Sequence, residues 1–599
     1  MTLLAPVNHL RGRRLAALAW AVTVITLATV PSAFAAPTPA NVPVTDTAER
    51  GYQGPWLAVN PANSRQLAAS FQEEPRNTCW LGLSGDGGAT WRQVPLVGPA
   101  SDHPLRTLPG GFVHCFRPSL TYGPDGTLYY AYTAGQAGFP GYNIVSLLTS
   151  TDDGKTFGAP VAIDTKPLPN SGNVNDQIPR MATDPKTGRL YVAWQQVTGR
   201  FTIEHVLVAS LGHRGRTFSS PVQVDPPRDS SGPQVPSVGR DGRVYVTLAA
   251  FPAGTLSDQT QPELIQVVSS TDHGATFSAP VTAQREYQCF FHGPNACSGA
   301  TSKYDGGENI APELVPAPSG RDTYLVSYGL IDDTFRVQLS ISHDAGKTWG
   351  TARTIGIPRG RAGDNQVLPT IAIAPNGRLD IVYYDLGPSL REDTYLISSS
   401  NGSNSFSTPE LLSGAPSNTQ DKPRGGFGND PFSGSQLVAS TNDKTYTAWT
   451  DSRRAVNPGK EDIFAAAVPL PPRCTARAAS TQDLDRTRTL VSTVSCDQSV
   501  SLSERGRLVL RGVPHRARTR TYRLPVATQL APGRPASVRM RLSRRLVAII
   551  DSALRQHRRI AVSLTVTAKG AAGQHTVTLR ISRLRIQAHR TARGRRRRS

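Results

Sequence analysis

The strongest constraint on the fold of this chain is a short turn motif that recurs along its length. The motif reads Ser-x-Asp-x-Gly-x-Thr and ends in Phe or Trp, and altered copies lie at 210–218 and 399–406. Glycine adopts backbone conformations that strain other residues, and Asp and Ser side chains bond nearby backbone N–H groups. Each copy, called an Asp turn below, therefore predicts a tight connection between two strands. The defining residues of the four near-complete copies are Ser84, Asp86 and Gly88; Ser150, Asp152 and Gly154; Ser270, Asp272 and Gly274; and Ser342, Asp344 and Gly346.

A second motif alternates with the Asp turn and consists of an apolar strand, a Gly/Pro/Asn turn and another strand. Its segments are short and rich in β-branched and aromatic residues, as strands are. The seven copies begin at Pro55, Pro118, Pro179, Pro233, Pro312, Pro369 and Ser435. Together with the runs on either side of each Asp turn, every unit supplies four strands. Self-similarity at a period of roughly 55–75 residues is typical of a β-propeller.

The number of blades depends on which motif is counted. Six Asp turns, including the altered copies, predict six blades, whereas seven hairpins predict seven, which we favour. The last unit lacks its own fourth strand, and we expect the segment NVPVTDT at 41–47 to supply it and close the ring. The predicted fold is all-β, with a propeller of four-stranded blades over residues 37–470.

The first 36 residues have the pattern of a secretory signal peptide. Arg11, Arg13 and Arg14 precede an apolar run, and the small residues Ala33 and Ala35 follow it. A membrane anchor is the alternative, although the run is short for a span. We therefore expect residues 1–36 to be removed and the mature protein to be secreted, or associated with the cell surface.

The six cysteines fit an oxidising compartment. Six cysteines allow fifteen pairings, and the sequence alone does not choose among them. Because they fall into three local segments, we expect sequential pairs. These pairs are Cys79 with Cys115, Cys289 with Cys297, and Cys474 with Cys496.

The positive charge of the chain is concentrated at its C-terminal end. Residues 471–599 contain 29 Lys and Arg against 5 Asp and Glu, whereas the whole chain has a net charge of +21. Its apolar β-runs predict a small, basic, β-sandwich-like domain at 471–588, with a short helix that Ser543 caps and that runs to Leu554. The Arg-rich tail at 589–599 is predicted to be disordered.

Such a basic domain predicts an anionic partner. It could tether the protein electrostatically to anionic cell-wall polymers, acidic glycans or lipid headgroups. The alternative is an arginine-rich composition that serves solubility. Nucleic acid is not expected for an exported chain without a stacking motif, and we expect a monomer.

The Asp turns resemble the Asp-box, or bacterial neuraminidase repeat, of the sialidase superfamily, and the resemblance covers residues 50–470. The ending AWTDSRR at 448–454 with EDIF at 461–464 is similar to secreted bacterial members described as sialidase-like. The resemblance implies a propeller fold and exo-sialidase activity. The superfamily also includes members with other activities or with none, because fold alone does not fix function.

The same resemblance implies a set of catalytic residues. Sialidases hold the sugar carboxylate with three arginines, use a tyrosine paired with a glutamate as the nucleophile, and use an aspartate as acid and base. Arg117 in CFRPSL is the first candidate for the clamp, although it lies in the second unit rather than ahead of the first Asp turn. Arg180 is assigned the matching position in the third unit. The remaining candidates are Arg424 for the clamp, Tyr384 as nucleophile, Glu308 as its base and Asp385 as acid and base.

Other readings of these residues stay open at this point. Arg117 could be a surface arginine at a blade rim, a tyrosine inside a strand is often core, and Asp451 with Arg453 could form an ion pair that closes a blade. No cofactor is predicted, although oxygen ligands could hold calcium. The residues considered for such a site are Asp176, Glu308, Asp364 and Asp430.

The longest predicted connection, 285–311, contains several aromatic side chains and the expected Cys289–Cys297 pair. Long loops inside compact domains are usually functional. The aromatics could stack on sugars or pack as a lid.

Two functions remain open from the sequence. The first is a secreted, sialidase-like propeller that acts on extracellular glycans as a glycoside hydrolase. The second is a non-catalytic propeller that binds glycans or proteins and is held at the surface by its basic domain. A compact arginine and carboxylate constellation would favour the enzyme.

Overall fold

The structure is a computed structural model of the chain. The described ranges are 38–46, 50–74, 78–98, 112–136, 143–164, 174–198, 203–226, 230–251, 262–286, 312–332, 334–387, 389, 391–418, 437–454, 460–484, 487–502, 505–511, 519–523 and 530–586. Within these ranges no helix is long and apolar enough to span a membrane. The predicted signal peptide, the Cys289–Cys297 pair and the Arg-rich tail lie outside the described residues.

In the described residues, seven antiparallel sheets form the blades of a propeller, and six of them have four strands. Blades 1–4 contain β2 (Gly51–Val59), β3 (Leu67–Glu74), β4 (Thr78–Ser84) and β5 (Arg92–Val97); β6 (Phe112–Tyr122), β7 (Leu128–Gln136), β8 (Asn143–Ser150) and β9 (Val161–Ala162); β10 (Val174–Thr183), β11 (Leu190–Thr198), β12 (Ile203–Leu211) and β13 (Val222–Gln223); and β14 (Ser230–Val238), β15 (Val244–Phe251), β16 (Glu263–Ser270) and β17 (Val281–Glu286).

The last three blades follow the same order, with a short fifth strand in blade 6. They contain β18 (Glu313–Pro316), β19 (Thr323–Ile331), β20 (Thr334–Ser342) and β21 (Arg353–Thr354); β22 (Asn365–Ile373), β23 (Leu379–Leu386), β24 (Arg391–Ser399), β25 (Glu410–Leu411) and β26 (Ser417–Asn418); and β27 (Val438–Ser440), β28 (Lys444–Asp451) and β29 (Asp462–Pro469) with the N-terminal β1 (Val42–Pro43).

The ring closes as the sequence predicted. Strand β1 completes the last sheet by pairing with β29, with Val42 opposite Ala465 and Pro43 opposite Phe464. The prediction of seven blades is therefore confirmed, and the six-blade alternative is wrong. Counting Asp turns gave six because blade 7 takes its fourth strand from the other end of the propeller sequence and has no such turn.

The Asp turns have one shared geometry, which blade 2 illustrates. The Ser150 hydroxyl donates to Asp152 at 2.8 Å and accepts from the Gly154 N–H at 2.9 Å. Asp152 also accepts from the N–H and the hydroxyl of Thr156, at 2.9 and 2.6 Å. Asp153 and Gly154 both have positive φ. Glycine adopts this conformation without strain, which is why it recurs at the position of Gly154 in the motif. The turn therefore connects the two outer strands without leaving its buried N–H unbonded.

The Asp turns and the hairpin turns between the two inner strands lie on one face of the propeller, called the turn face. Gln66 of the blade 1 hairpin turn donates to Asp153 of the blade 2 Asp turn at 2.5 Å. In blade 5 the Ala345 N–H donates to the Arg321 carbonyl at 2.9 Å. The inner strands consequently begin on the opposite face, called the mouth face.

Residues after 470 form further sheets and one helix. The elements are β30 (Cys474–Arg477), β31 (Thr481–Leu484), β32 (Thr489–Cys496), β33 (Ser501–Leu502), β34 (Arg505–Arg511), β35 (Thr519–Arg523), β36 (Ala536–Arg541), α1 (Arg544–Arg555), β37 (Ala561–Gly570), β38 (Gly573–Ile581) and β39 (Arg583–Ile586). Strands β30, β32 and β36 form one sheet, and β33, β34, β35, β37 and β38 form another. Side chains of both sheets, including Val538 and Leu564, share one hydrophobic core with Ile550 of the helix. This arrangement is sandwich-like, as predicted.

The predicted helix cap and two of the predicted disulfides are confirmed. Ser543 caps α1 and accepts from the Leu546 N–H. Two of the predicted disulfides are present: Cys79–Cys115 joins β4 of blade 1 to β6 of blade 2, and Cys474–Cys496 joins β30 to β32.

Candidate functional site

The seven innermost strands surround a cavity of about 390 Å³ on the propeller axis. Its lining is mostly apolar and includes Leu120, Met181, Leu314 and Ile371. In β2, β6, β10 and β22 the lining residues lie in the second half of the strand. Buried polar side chains, including Gln53, Asp176 and Gln366, lie nearer the strand starts, so the mouth face is the candidate site.

A β-bulge marks the mouth end of several inner strands. The register shifts at an x-Pro pair in β2, β6, β10 and β22. The residue before the proline has a positive φ in each case: Gly54, Arg117, Ile178 and Leu368. Bulges re-aim side chains, and a non-glycine residue with positive φ is maintained at an energetic cost.

At two of these bulges the backbone N–H donates to a side chain of the preceding blade. The Arg117 N–H donates to the Gln72 side-chain carbonyl at 2.9 Å, and the Ile178 N–H donates to the Thr133 hydroxyl at 3.1 Å. Adjacent blades are therefore tied together at the channel mouth.

Arg117 and Arg180 occupy different places, which corrects the alignment made from sequence. The bulge position of Arg117 is matched in blade 3 by Ile178, and Arg180 follows the proline instead. Arg117 is half-buried. Arg180 is 1% exposed, its guanidinium stacks 4.6 Å from the Trp56 ring centre, and it donates to the Pro179 carbonyl. The structure therefore gives the two arginines different surroundings, and their predicted role as a clamp stays a prediction.

Tyr384 is enclosed between blades 6 and 7. It is fully buried, and its hydroxyl accepts from the Thr450 N–H at 3.3 Å. Burial raises the pKa of Tyr384 well above its ordinary value, and the nearby Glu392 raises it further. Its predicted role as a nucleophile stays a prediction.

Asp385 belongs to a charged cluster that sequence reasoning missed. Arg361, from the connection before β22, donates to Asp385 at 2.6 Å, to Asp393 at 2.7 Å and to Asp364 at 3.3 Å. Gln366 donates to the other oxygen of Asp385 at 2.7 Å. Burial raises the pKa of Asp385 to about 6, although the hydrogen bonds and the Arg361 charge oppose that rise. No repeat or spacing pointed to Arg361, because it lies in an irregular loop and meets Asp393 only through folding.

The blade 7 end of the mouth face is held by two further ion pairs. Arg453 bonds Asp451 at 2.5 Å and Asn41 at 2.8 Å. Arg454 bonds Asp462 at 2.9 Å and the Thr45 carbonyl at 3.0 Å. Since Asn41 and Thr45 flank strand β1, these arginines fasten the closing strand, as expected for Asp451 with Arg453.

Blade 4 contains a pair of buried glutamates that the sequence also did not reveal. Glu263 and Glu286 are register partners on β16 and β17, and both are about 3% exposed. Glu286 accepts from the Ser327 hydroxyl of blade 5 at 2.9 Å. Burial raises the pKa of Glu286 to about 7, and burial together with the Glu286 charge raises that of Glu263. Both carboxyl groups therefore keep a proton to a higher pH than an exposed glutamate does.

The remaining candidates do not come together within the described ranges. Asp176 lies in blade 3, where Gln196 donates to it at 2.9 Å, whereas Asp364 lies beside Arg361 at blade 6. In the part of the chain that the structure describes, no group of three or more His, Cys, Asp or Glu side chains is arranged to hold a metal ion. Arg424, Glu308, Asp430 and most of the 285–311 connection lie outside the described residues.

No family model and no curated protein matches the chain. Similar solved structures include a Hadza microbial sialidase (15% identity, 69% of this chain and 75% of that one, TM-score 0.40). They also include an α-L-arabinanase from Penicillium chrysogenum (16%, 60% and 98%, 0.40) and an intramolecular trans-sialidase from Ruminococcus gnavus (12%, 59% and 95%, 0.37). At such low identity a similar fold says nothing about the substrate.

Proposed function

We propose that this protein is a secreted propeller that acts on extracellular glycans at the mouth of its central channel, with Arg117 binding an acidic group of the sugar. The observation that carries the proposal is the position of Arg117 on an inner strand, at a bulge with φ of 52°. A planar guanidinium is suited to a carboxylate because it donates two parallel hydrogen bonds. The equivalent residues Gly54, Ile178 and Leu368 have no charge, so an acidic ligand would meet this arginine at one place in the ring.

In the catalytic form of the proposal, the protein is an exo-sialidase-type glycoside hydrolase. Arg180 and Arg424 complete the clamp, and Tyr384 with Glu308 supplies the nucleophile. Asp385 is the acid, and its pKa of about 6 supports this role because a general acid must keep its proton near the working pH. Arg361 would then position Asp385.

A second candidate is a non-catalytic propeller that binds glycans or a protein partner. The enclosure of Tyr384 favours it, because a nucleophile needs access to the substrate, whereas this hydroxyl is buried and bonded to the Thr450 N–H. Arg117 keeps the same recognition role in this form. The two candidates differ in whether the protein hydrolyses the glycan, and in both Arg117 binds its acidic group.

The proposal also includes export and attachment. The sequence pattern of residues 1–36 and the two described disulfides support an extracellular location. The basic region after residue 470 then holds the propeller at an anionic surface.

The test measures hydrolysis of a fluorogenic α-sialoside between pH 4 and 8 and, in parallel, binding to immobilised sialylated glycans. The protein without residues 1–36 is compared with Arg117→Gly, since blade 1 has glycine at the equivalent bulge. Arg214→Ala is the matched control, because Arg214 is 72% exposed and bonds Asp125 on the turn face.

Hydrolysis that only Arg117→Gly abolishes supports the enzyme and the clamp. Binding without hydrolysis, lost in the same variant, supports the non-catalytic candidate. If all three proteins behave equally, Arg117 is removed from the proposal. If the wild-type protein neither hydrolyses the sialoside nor binds the glycans, the proposal of an acidic glycan as the ligand is overturned.

A further inference from the structure

The sheet of β30, β32 and β36 presents one face to solvent, and on that face arginines border small side chains. Exposed arginines stand on its two outer strands, with Arg477 on β30 and Arg539 and Arg541 on β36. The middle strand β32 presents small side chains between them, including Thr493. The opposite side of the same strands enters the hydrophobic core.

The register fixes how these side chains are arranged. Arg477 and Ser537 lie on either side of Thr493, Arg539 lies opposite Val491, and Arg541 lies opposite Thr489. Long basic side chains therefore border a row of short ones along β32. We call this set of Arg477, Thr489, Val491, Thr493, Ser537, Arg539 and Arg541 the arginine trough. From Thr489 to Thr493 the trough follows β32 for about 13 Å.

The three arginines are not neutralised by the described part of the chain. None of them forms an ion pair or a side-chain hydrogen bond there, and no acidic residue lies among the exposed positions of this face. Two exposed arginines outside the trough have acidic neighbours: Arg555 bonds Asp551, and Arg585 lies opposite Asp483 in the parallel pair of β31 and β39. Three uncompensated guanidiniums on one strip favour a partner that carries regularly placed anions.

The chemistry of the trough also narrows the class of polyanion. Residues 471–599 contain a single aromatic residue, Tyr522. Binding of single-stranded nucleic acid relies on aromatic stacking under the bases, and anchoring in a lipid interface relies on aromatic and other apolar side chains. The trough instead offers guanidiniums for carboxylate, sulfate or phosphate groups and hydroxyls for sugar oxygens.

We propose that the arginine trough is a binding site for a linear anionic polysaccharide, which lies along β32 between Arg477 and the pair Arg539 and Arg541. This inference rests on the attachment part of the proposed function and names the face and the partner. The small side chains of β32 leave room for the sugar rings, and the arginines bind the acidic groups on both sides. The site is distinct from the channel mouth.

The test compares dissociation constants for polygalacturonate, dextran sulfate and oligo(dT) in 150 mM salt. All proteins begin at residue 37 and share the background substitutions Arg593→Ser, Arg595→Ser, Arg596→Ser, Arg597→Ser and Arg598→Ser, so that the charge of the tail does not dominate binding. The test variant is Arg477→Gln, Arg539→Gln and Arg541→Gln. The control variant removes the same charge at Arg558→Gln, Arg583→Gln and Arg585→Gln, which are also exposed.

We expect the trough variant to bind the preferred polysaccharide roughly 100-fold more weakly, since three charge-assisted contacts are lost. The control is expected to stay within about threefold, because general attraction is weak in this salt. Comparison of the dissociation constants for polygalacturonate and dextran sulfate shows whether the site prefers carboxylate or sulfate groups. Unchanged melting temperatures show that both variants are folded.

Three results overturn the proposal at different levels. Equal weakening in both variants means that attachment uses overall charge, and it removes the trough while attachment stands. No binding of either polysaccharide by the background protein removes attachment itself. Tighter binding of oligo(dT) than of both polysaccharides replaces the partner class with nucleic acid.

Discussion

Arg117 shows how one residue can link backbone geometry to recognition. Its positive φ is shared with Gly54, yet arginine has a Cβ that makes this conformation costly. The Gln72 side chain satisfies the N–H that the bulge exposes. The position is therefore sterically best suited to glycine and chemically suited to an acidic ligand.

This conflict gives a prediction about stability. We expect Arg117→Gly to leave the free energy of unfolding unchanged or to raise it by up to about 1 kcal/mol, because relief of the backbone conformation offsets the greater freedom of unfolded glycine. Glycan recognition should be lost in the same variant. Urea unfolding measures the first effect, and a destabilisation above about 1 kcal/mol would show that the arginine serves the fold instead.

At this scale the sequence predicted turn residues well and site residues poorly. Ser150, Asp152 and Gly154 were found because the side-chain hydrogen bonds that define their turn all fall within seven residues. Arg361 and Asp393 were not found, because they are 32 positions apart and meet only through folding. Arg180 was misaligned because the two arginines were matched to each other, whereas Pro118 and Pro179 are the equivalent residues of the two bulges.

At the scale of the strands, the attachment of β1 to blade 7 depends on side-chain hydrogen bonds as well as on its two-residue backbone pairing with β29. The Thr45 hydroxyl donates to Asp462 at 2.9 Å and accepts from the Ile463 N–H at 3.2 Å. Asp462 is in turn bonded to Arg454. A short strand is thereby held by a buried polar network.

We expect Thr45→Val to lower the free energy of unfolding by about 1–3 kcal/mol, because the Ile463 N–H and one oxygen of Asp462 lose their partner while the side-chain volume is kept. Thr351→Val is the control, since Thr351 is exposed in a loop of blade 5. Equal melting temperatures for the two variants in calorimetry would contradict the importance of this network.

The glutamate pair between β16 and β17 makes blade 4 sensitive to pH. Glu286 has a folded-state pKa of about 7, above its ordinary 4.5, so the folded state binds the proton more tightly than the unfolded state. The stability that this proton supplies is complete below about pH 4.5 and is lost as the pH rises through 7. We expect a loss of about 2–3 kcal/mol by pH 8.

Glu286→Gln removes the titration while it keeps a polar group beside Ser327. Its free energy of unfolding should therefore be flatter than that of the wild type between pH 5 and 8. Asp241→Asn, at a side chain that is 46% exposed, is the control and should keep the wild-type slope. An unchanged slope in Glu286→Gln would assign the pH dependence to other groups.

Over the whole molecule, the sheets after residue 470 contact the turn face of blades 6 and 7. Asn376 donates to Asp497 at 2.7 Å, Asn442 donates to the Asp497 carbonyl at 3.0 Å, and Arg473 donates to the Ser400 carbonyl at 2.7 Å. Arg473 and Asp497 directly flank the disulfide Cys474–Cys496. The disulfide thus holds both contact residues at one place, on the face opposite the proposed glycan site.

Asp497→Ala removes acceptors for Asn376 and for the Arg473 N–H. We expect calorimetry to resolve a separate, lower transition for the C-terminal sheets, while the transition of the propeller keeps its temperature. Asp483→Ala, at an exposed position on β31, is the control. A single unchanged transition in Asp497→Ala would mean that these contacts add little to the docking.

The way the ring closes also sets an order of events in folding. The chain makes β1 first, yet its partner β29 comes more than 400 residues later. Loop-closure entropy grows only slowly with such a separation, but non-local pairing slows folding. Six blades can form as local, sequential meanders, whereas the seventh must wait until both ends of the propeller sequence are available. The chain therefore cannot complete its ring until synthesis has passed residue 469, so the last blade closes only after the first six have been made.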